Sequence, residues 1–179
     1  MNTSFYTEEE LKHLGLQYFG SNVLISRKVS LYSPETIVIG DNVRIDDFCI
    51  LSGNIKLGSQ IHISAYSALY GGGGIEMEDY TGLSPRCTVL SATDDFSGNA
   101  LVGPCVNDEY RNVFCGKVLI KKYSQIGTNT TILPNVVIGE GTAVGAMSLV
   151  TKSLPSWSIC FGIPAKFMKE RSKKMLDIE

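Results

Sequence analysis

Residues 118–150 read VLIKKYSQIGTNTTILPNVVIGEGTAVGAMSLV, and an aliphatic side chain occupies every sixth position: Ile120, Ile126, Ile132, Ile138, Val144 and Val150. A period of six fits neither a helix nor an ordinary strand and is typical of a solenoid. A small or β-branched residue follows four positions after each of the first five aliphatics: Ser124, Thr130, Val136, Thr142 and Ser148. The two registers together predict a parallel β-helix with three flat faces per coil, in which the aliphatic side chains stack inside the prism.

The same pattern runs through an earlier stretch, where the aliphatics are Ile39, Ile45, Leu51, Leu57, Ile63 and Leu69. The small inward positions of that stretch are Val43, Cys49, Ile55, Ile61, Ser67 and Gly73. At Gly71–Gly74 the register slips by two residues, and it resumes at Met77. The four glycines allow two interpretations: a bulge that absorbs the extra residues, or a corner that a substrate approaches closely.

Segments outside the repeat predict a solenoid that is capped at both ends, so the expected fold class is all-β with few helices. Residues 1–20 are predicted to form an N-terminal helix on the first coil, with Thr7 and Glu10 as its capping box. The prism is expected to span residues 21–155, and residues 156–179 are expected to form a C-terminal turn and helix. Residues 92–117 lose the repeat, and a protruding loop of that length is uncommon unless it has a function.

Composition limits the possible partners and location of the protein. The 179 residues carry a formal net charge of −2, which gives no overall field for attracting nucleic acid. No apolar run is long enough to span a membrane, and the first residues lack the order of a signal peptide, so we expect a cytoplasmic protein without membrane insertion. The five cysteines are odd in number and lack close ligand pairs, so reduced thiols and no metal are expected.

Three segments resemble the hexapeptide-repeat acyltransferases with a left-handed β-helix, in particular the branch of galactoside, maltose, xenobiotic and surface-polysaccharide O-acetyltransferases. They are the hexads from Ile120 to Val150, the GAMSLVTKSLP segment at 145–155, and Gly162-Ile163-Pro164-Ala165-Lys166. The left-handed coil is implied by this resemblance and not by the spacing, since parallel crossovers are otherwise right-handed. The resemblance also implies a homotrimer with active sites between neighbouring prisms and acetyl-CoA as the acyl donor.

In that family the pantetheine arm of the donor runs along the coils toward the C-terminal end. The resemblance therefore implies donor contacts at Gly127, Gly145, Ala146, Ser148 and Pro164. Candidates for binding the donor phosphates are Lys152, Lys166, Lys169 and Arg171. A solvated basic face would explain any single one of these cations equally well.

Acyl transfer from a thioester to a hydroxyl or amine needs a base for the acceptor proton and donors for the oxyanion. In the galactoside branch the base is a histidine at the start of the long loop, and the matching position here is Asp94. The branch's substrate-binding asparagine falls on Ser64. Both departures indicate that the acceptor site has been rebuilt.

Of the two histidines in the sequence, His62 is the better candidate for a replacement base, because it flanks the inward Ile63 beside Ser64. A histidine that only forms hydrogen bonds at a subunit interface is the alternative. Asp94 and Asp95 are rival catalytic groups, unless they form an Asx turn in the loop. A His62–Asp94 pair formed across subunits is the mechanism that the sequence favours.

Aromatic side chains and one arginine are candidates to line the acceptor pocket, by stacking on a sugar or base and by contacting a phosphate: Tyr66, Tyr70, Phe96, Tyr110 and Arg111. Packing at a subunit interface would explain each of them equally well.

The predicted function is O-acetylation of a sugar in surface-polysaccharide synthesis, such as O-antigen or capsule. N-acetylation of a nucleotide-linked amino sugar is the first alternative, and an amine acceptor would favour an acidic neighbour such as Asp94. A non-catalytic trimeric scaffold is the second alternative, which the missing loop histidine supports. A zinc-dependent carbonic anhydrase built on the same prism needs three histidine ligands, and the sequence has two histidines.

Overall fold

The computed structural model describes residues 4–178, most of which form short strands. The strands are β1 (Tyr18–Phe19), β2 (Leu24–Ile25), β3 (Ser30–Tyr32), β4 (Ile37–Ile39), β5 (Val43–Ile45), β6 (Ile50–Leu57), β7 (Ile61–Ile63), β8 (Ala68–Met77), β9 (Gly82–Leu83), β10 (Thr88–Leu90), β11 (Ala92–Asp94), β12 (Val113–Cys115), β13 (Val118–Ile120), β14 (Gln125–Ile126), β15 (Thr131–Ile132), β16 (Val137–Ile138), β17 (Ala143–Val144), β18 (Leu149–Val150), β19 (Ser158–Gly162) and β20 (Ala165–Glu170). The helical segments are α1 (Glu8–Leu11) and the 3₁₀ turns Pro34–Thr36, Asp108–Tyr110 and Lys174–Asp177.

Parallel pairing between strands of successive coils confirms the predicted β-helix. Val43 lies opposite Ile61, and Gln125 lies opposite Ala143, so partners in regular coils are eighteen residues apart. One wall of the prism, which we call the β7 face, consists of β2, β5, β7, β9, β14, β17 and β19 in that order. The other two walls share β6 and β8, because these strands are long enough to continue around a corner.

The predicted inward residues form the core. Every aliphatic of the two six-residue series is at most 3% exposed, and burying each such side chain contributes about 1.5–3 kcal/mol. Inward hydroxyls are satisfied by nearby carbonyl groups, as in the bond from Thr142 Oγ1 to the Pro155 carbonyl at 2.7 Å. The inward thiols Cys49 and Cys87 are fully buried, and burial raises the pKa of each to about 11.

The four glycines form a bulge that fastens the base of the protruding loop. Gly73 N donates a hydrogen bond to Ser91 Oγ at 2.9 Å, and a Cβ on Gly73 would overlap the Ser91 carbonyl oxygen. Ile75 takes the inward position that the sequence assigned to Gly73, since the extra residues come before it. The structure therefore supports the bulge over a corner that a substrate approaches.

The N-terminal helix is shorter than predicted for residues 1–20. The capping box is present, with Glu10 N donating to Thr7 Oγ1 at 3.3 Å, but the helix ends at Leu11. Gly15 has a positive φ of 76°, and β1 then pairs in parallel with β4. The open edge of the first regular coil offers backbone partners that a helix could not use. Residues 1–3 and 179, which the two predicted caps include, lie outside the described residues.

The predicted C-terminal helix is wrong. Residues 165–170 form β20, which runs antiparallel to β19 with Phe161 opposite Lys166. Without β20 the backbone groups along the edge of the β7 face would lack partners, and a second strand satisfies them where a helix would not. The 3₁₀ turn Lys174–Asp177 is the helical part of this segment.

The loop leaves the prism between β10 and β13, as the loss of the repeat predicted. Its two ends pair as the antiparallel hairpin β11–β12, with Asp94 opposite Val113. β10 also pairs in parallel with β15, so the stack of coils continues past the insertion. Among residues 4–178, no helix has the length and apolar character required to span a bilayer.

Candidate functional site

One corner of the prism, at the end of the β7 face, carries a column of mostly small residues. We call it the corner column; from the N-terminal coil onward it consists of Asp46, Ser64, Ser84, Gly127 and Gly145. Each follows an inward aliphatic, and each backbone N–H donates to a carbonyl of the next coil at 2.8–3.0 Å. Because the side chains are small, the column is a shallow strip along which an extended ligand can contact the backbone.

Two adjacent hydroxyls of the corner column are open. Ser64 and Ser84 use their backbone N–H and carbonyl groups between coils. Their Oγ atoms form no hydrogen bond with any residue in 4–178. The column therefore presents two neighbouring hydroxyls to whatever binds there. This places the predicted Ser64 beside Ser84, which the sequence analysis missed.

His62 lies on β7 and pairs with a carboxylate that the sequence analysis did not consider. Its Nε2 is 2.7 Å from Asp46 Oδ2, and Arg44 Nε donates to Asp46 Oδ1 at 2.7 Å. About half of the His62 side chain is exposed. The imidazole is thus held between two coils, and its predicted role as a base stays a prediction.

Asp94, at the end of β11, is held by residues of its own loop. Arg111 Nη2 donates to Asp94 Oδ1 at 3.2 Å, and Gly103 N donates to Oδ2 at 3.3 Å. Within the described residues neither Asp94 nor His62 contacts the other. The predicted pair between subunits therefore stays a prediction, with each partner already bonded inside its own chain.

Asp95 forms the Asx turn that was the alternative to a catalytic role. Its Oδ1 accepts from Ser97 N at 2.8 Å, and its Oδ2 accepts from Asn112 Nδ2 at 3.2 Å. Hydrogen bonds from Ser97 and Asn112 hold the pKa of Asp95 below its usual range. The geometry gives this carboxylate a role in shaping the loop.

Tyr66 belongs to an exposed ladder at the same corner. Its ring stacks on Phe48 with centroids 5.0 Å apart, and the Arg86 guanidinium lies 5.5 Å from the Tyr66 ring centroid. Phe48, Tyr66 and Arg86 all have positive φ values of 61–63°, a conformation that points each side chain outward from the turn at a steric cost. Arg86 forms no hydrogen bond or ion pair with any residue in 4–178.

The remaining acceptor candidates lie in or near the loop. Tyr110 and Arg111 help to line a cavity of about 430 Å³ within the loop. Phe96 is 82% exposed and does not line that cavity. Tyr70 lies on β8, where its carbonyl accepts bonds from Ser91. The structure thus groups two of the five predicted acceptor residues in one cavity.

The residues predicted to contact the acyl donor differ in exposure: some lie on the surface of the corner column, and Ser148 is buried. Gly127 and Gly145 lie in the corner column, with the exposed Ala146 next in sequence. Ser148 is only 3% exposed. Its hydroxyl donates to the Gly145 carbonyl at 2.7 Å and accepts from Gly162 N at 3.1 Å, so the side chain supports the corner from inside.

The cations proposed for the donor phosphates also differ from one another. Lys152, Lys166 and Lys169 are exposed, as is Pro164. Arg171 instead donates from Nη1 to the Tyr123 carbonyl at 2.9 Å and to the Gly141 carbonyl at 3.0 Å. Burial lowers the pKa of Arg171 from its ordinary value. Arg171 therefore fastens the C-terminal segment to the coils.

The corner column and the loop emerge from different corners of the prism. Ser84 follows β9, whereas Asp94 lies beyond β10, one wall further along the coil. No hydrogen bond joins Asp94 to Ser64 or Ser84 within the described residues. A single chain thus presents two candidate half-sites, one of open hydroxyls and glycine backbone and one of a fixed carboxylate.

Ser84 and Arg86 are candidate site residues that were not selected from the sequence, and neither was Asp46, the partner of His62. The signal for Ser84 was available, because it follows inward Leu83 as Ser64 follows inward Ile63. Asp46 follows from the same column register, and Arg86 lies two positions after Ser84 as Tyr66 lies two positions after Ser64. The two-residue slip at the glycines obscured the match, since it moves Ser84 out of the eighteen-residue spacing.

Comparison with known proteins identifies the kind of solenoid. The family described as "Bacterial transferase hexapeptide (six repeats)" matches residues 117–152. A dTDP-4-amino-4,6-dideoxy-D-glucose acyltransferase of Escherichia coli is 41% identical, over 98% of this chain and 93% of that protein.

Crystal structures of AntD, an N-acyltransferase from Bacillus cereus, are similar over nearly the full length. The AntD complex with dTDP and 3-hydroxybutyryl-CoA is 56% identical with a TM-score of 0.96, covering 99% of this chain and 95% of AntD. The S84C variant, in complex with dTDP-4-amino-4,6-dideoxyglucose and coenzyme A, is 54% identical with a TM-score of 0.96, covering 99% and 96%. D94A and D94N variants of AntD have also been crystallised. On this similarity and on its stacked six-residue rungs, the chain belongs to the hexapeptide-repeat transferases and is an acyltransferase.

Proposed function

We propose that the chain is an N-acyltransferase that moves an acyl group from acyl-CoA to the amino group of a nucleotide-linked amino sugar, with dTDP-4-amino-4,6-dideoxyglucose as the acceptor. The support is similarity over the whole length to a relative named for that acceptor and to AntD, an N-acyltransferase crystallised with it. N-acylation therefore replaces O-acetylation of a polysaccharide sugar as the main hypothesis. The scaffold alternative loses its support, because the chain belongs to a family of transferases.

The observation that carries the proposal is the carboxylate of Asp94 in place of a loop histidine. A hydroxyl needs a base to become a good nucleophile, whereas an unprotonated amine attacks a thioester without prior deprotonation. The N–H groups of the amine need a hydrogen-bond acceptor to orient them. Asp94, whose two oxygens accept bonds from Arg111 and Gly103, is a fixed carboxylate that can accept further bonds.

The corresponding reaction forms the C–N bond of an amide and breaks the C–S bond of the thioester. The amine nitrogen loses one proton and the departing thiolate gains one, so the transfer needs no net acid or base. In this proposal Asp94 orients the amine, while Ser84 and the glycines of the corner column allow the thioester to approach the backbone. The His62–Asp46 pair has a structural role.

AntD, with positions 84 and 94 substituted in several of its structures, offers a parallel for the two half-sites. The present chain carries Ser84 and Asp94 at the same numbers. Because these residues emerge from different corners, we infer a homotrimer in which the corner column of one subunit faces the loop of its neighbour. This arrangement would complete each site from two chains.

The acyl donor and the nucleotide are assigned to different parts of the surface. Acyl-CoA is proposed to lie along the corner column near Gly127 and Gly145. The AntD complex with 3-hydroxybutyryl-CoA adds a 3-hydroxyacyl donor to the expected acetyl donor. Arg86, exposed and without an acidic partner in the described chain, is the proposed contact for the nucleotide diphosphate. Both proposed substrates are water-soluble, which agrees with the expected cytoplasmic location.

Thiol release from acyl-CoA tests the proposal with two matched acceptors. One is dTDP-4-amino-4,6-dideoxyglucose, and the other is the same dTDP-sugar with a hydroxyl at position 4. Acetyl-CoA and 3-hydroxybutyryl-CoA serve as donors. We expect release with the amino sugar and none above background with the hydroxyl compound. Turnover of the hydroxyl compound alone would restore O-acylation as the better account.

A further inference from the structure

Arg111 lies between two carboxylates of the loop. Its Nη2 donates to Asp94 Oδ1 and its Nη1 donates to Asp108 Oδ1, both at 3.2 Å. The Arg111 side chain is 17% exposed, whereas that of Asp108 is 99% exposed. The two contacts therefore differ in strength, because solvent screens the pair with Asp108 much more than the pair with Asp94.

The third nitrogen of the Arg111 guanidinium, Nε, is buried and has no hydrogen-bond partner among residues 4–178. Burying an unpaired N–H carries an unfavourable desolvation cost. An arginine placed only to stabilise the loop would be expected to satisfy this group. The position of Arg111 is better explained by the bond that its Nη2 donates to the Asp94 carboxylate.

The backbone fixes the relative position of Arg111 and Asp94. Asp94 ends β11, and the next residue bonds through its backbone to Asn112, the neighbour of Arg111. Arg111 N donates to the Asp108 carbonyl, and Leu101 bridges to Arg111 across the loop. Gly103 N then closes on the second oxygen of Asp94. Gly103 and Arg111, which both belong to the loop, thus hold the two oxygens of the Asp94 carboxylate.

We propose that Arg111 is a positioning residue for acyl transfer: it fixes the Asp94 carboxylate in the orientation that receives the amino group of the acceptor sugar. This inference rests on the proposed function, and it replaces the expectation that Arg111 contacts a phosphate. Arg111 acts through Asp94 and does not itself touch the amine. Its planar fork holds the carboxylate oxygen in a defined direction, which a lysine reproduces only in part.

The test is a double-mutant cycle on kcat/KM for the amino-sugar acceptor, using Arg111→Met, Asp94→Asn and the double variant. Arg111→Met is expected to lower kcat/KM by about thirtyfold, the effect of one lost charge-assisted hydrogen bond. The double variant is expected to lose no more than Asp94→Asn alone, because Arg111 has nothing left to position. Arg111→Lys should recover part of the kcat/KM that Arg111→Met loses. It also replaces Arg111→Met in the cycle if Arg111→Met does not fold.

The matched control is Asp108→Asn, which removes the other ion pair of Arg111 and should leave kcat/KM within about twofold, as expected for an exposed pair. Denaturant unfolding of each variant separates a loss of fold from a loss of positioning. The inference is overturned if Arg111→Met and Arg111→Lys both match the active parent, or if the Arg111 and Asp94 losses multiply. If the parent acylates the hydroxyl compound and not the amine, the proposed function fails, which is a different outcome.

Discussion

His62 Nε2 lies 2.7 Å from Asp46 Oδ2, and this contact joins two successive coils of the β7 face. Arg44, which lies directly opposite His62 in the strand register, donates to the same carboxylate. Burial raises the pKa of Asp46, but hydrogen bonds from His62 and Arg44 outweigh it, so the net pKa lies below the usual range. His62, the histidine that the sequence favoured as the catalytic base, thus helps to hold two coils together.

Asp46→Asn should lower the free energy of unfolding at pH 7 by about 1 kcal/mol, a value kept small because His62 is half exposed. The folded pKa of Asp46 lies below the unfolded value of about 3.9, so its contribution is fully present above that pH and is lost as the pH falls through the folded pKa. Urea unfolding at pH 7 and pH 3 measures the difference. A gap between parent and variant that stays the same at both pH values would contradict the assignment.

His62→Ala should change kcat by no more than about threefold, because an amine acceptor needs no strong base and loss of general-base catalysis would cost about 100-fold or more. Steady-state rates with the amino-sugar acceptor, measured on protein shown to be folded, decide between these values. His13→Ala, in the N-terminal segment, is the matched control. A drop of two orders of magnitude in His62→Ala alone would return the base to His62 and revive its pairing with a neighbouring loop.

Arg86→Gln should raise KM for the dTDP-sugar by about tenfold while leaving kcat nearly unchanged, because a contact to the diphosphate, which takes no part in bond making or breaking, is made equally in the ground and transition states. Lys12→Gln removes the same charge from an exposed cation paired with Glu9 and serves as the control. KM for acyl-CoA should stay at the parent value in both. A rise in the acyl-CoA KM alone would assign Arg86 to the donor.

Mixed trimers test whether each site takes residues from two chains. Subunits carrying Ser84→Phe, whose bulky side chain would block the approach of the thioester to the corner column, and subunits carrying Asp94→Asn are mixed in equal amounts by joint refolding. If the corner column and the loop meet between subunits, about a quarter of the interfaces combine two intact halves, and the mixture recovers about a quarter of the parent activity. A mixture no more active than the average of the two variants would place both residues in one subunit's site.

The repeating part of the fold could be predicted because each inward residue is fixed by a local period. Ile63 and Ile126 are buried where the six-residue spacing put them. The C-terminal end could not be predicted in this way. Residues 165–170 are a strand because β19 exposes an edge, and that edge exists only after the coils have stacked.

The candidate site was predicted unevenly for a similar reason. Asp94 and Ser64 were selected from a resemblance in sequence order, and their roles in a site stay predictions. The partners of these residues depend on contacts between distant segments: Asp46 is sixteen residues from His62, and Arg111 is seventeen residues from Asp94. The order of charged residues along the sequence does not show which of them pair, because these pairs form only after distant segments meet in the fold.

The chemical nature of the bond formed on the acceptor distinguishes N-acyl transfer from O-acyl transfer most directly. The product of dTDP-4-amino-4,6-dideoxyglucose and 3-hydroxybutyryl-CoA is isolated, identified by mass spectrometry and treated with mildly alkaline hydroxylamine, which cleaves oxygen esters and leaves amides intact. N-acyl transfer should give a singly acylated dTDP-sugar that survives the treatment. A product that reverts to the starting sugar would show an ester and contradict N-acyl transfer.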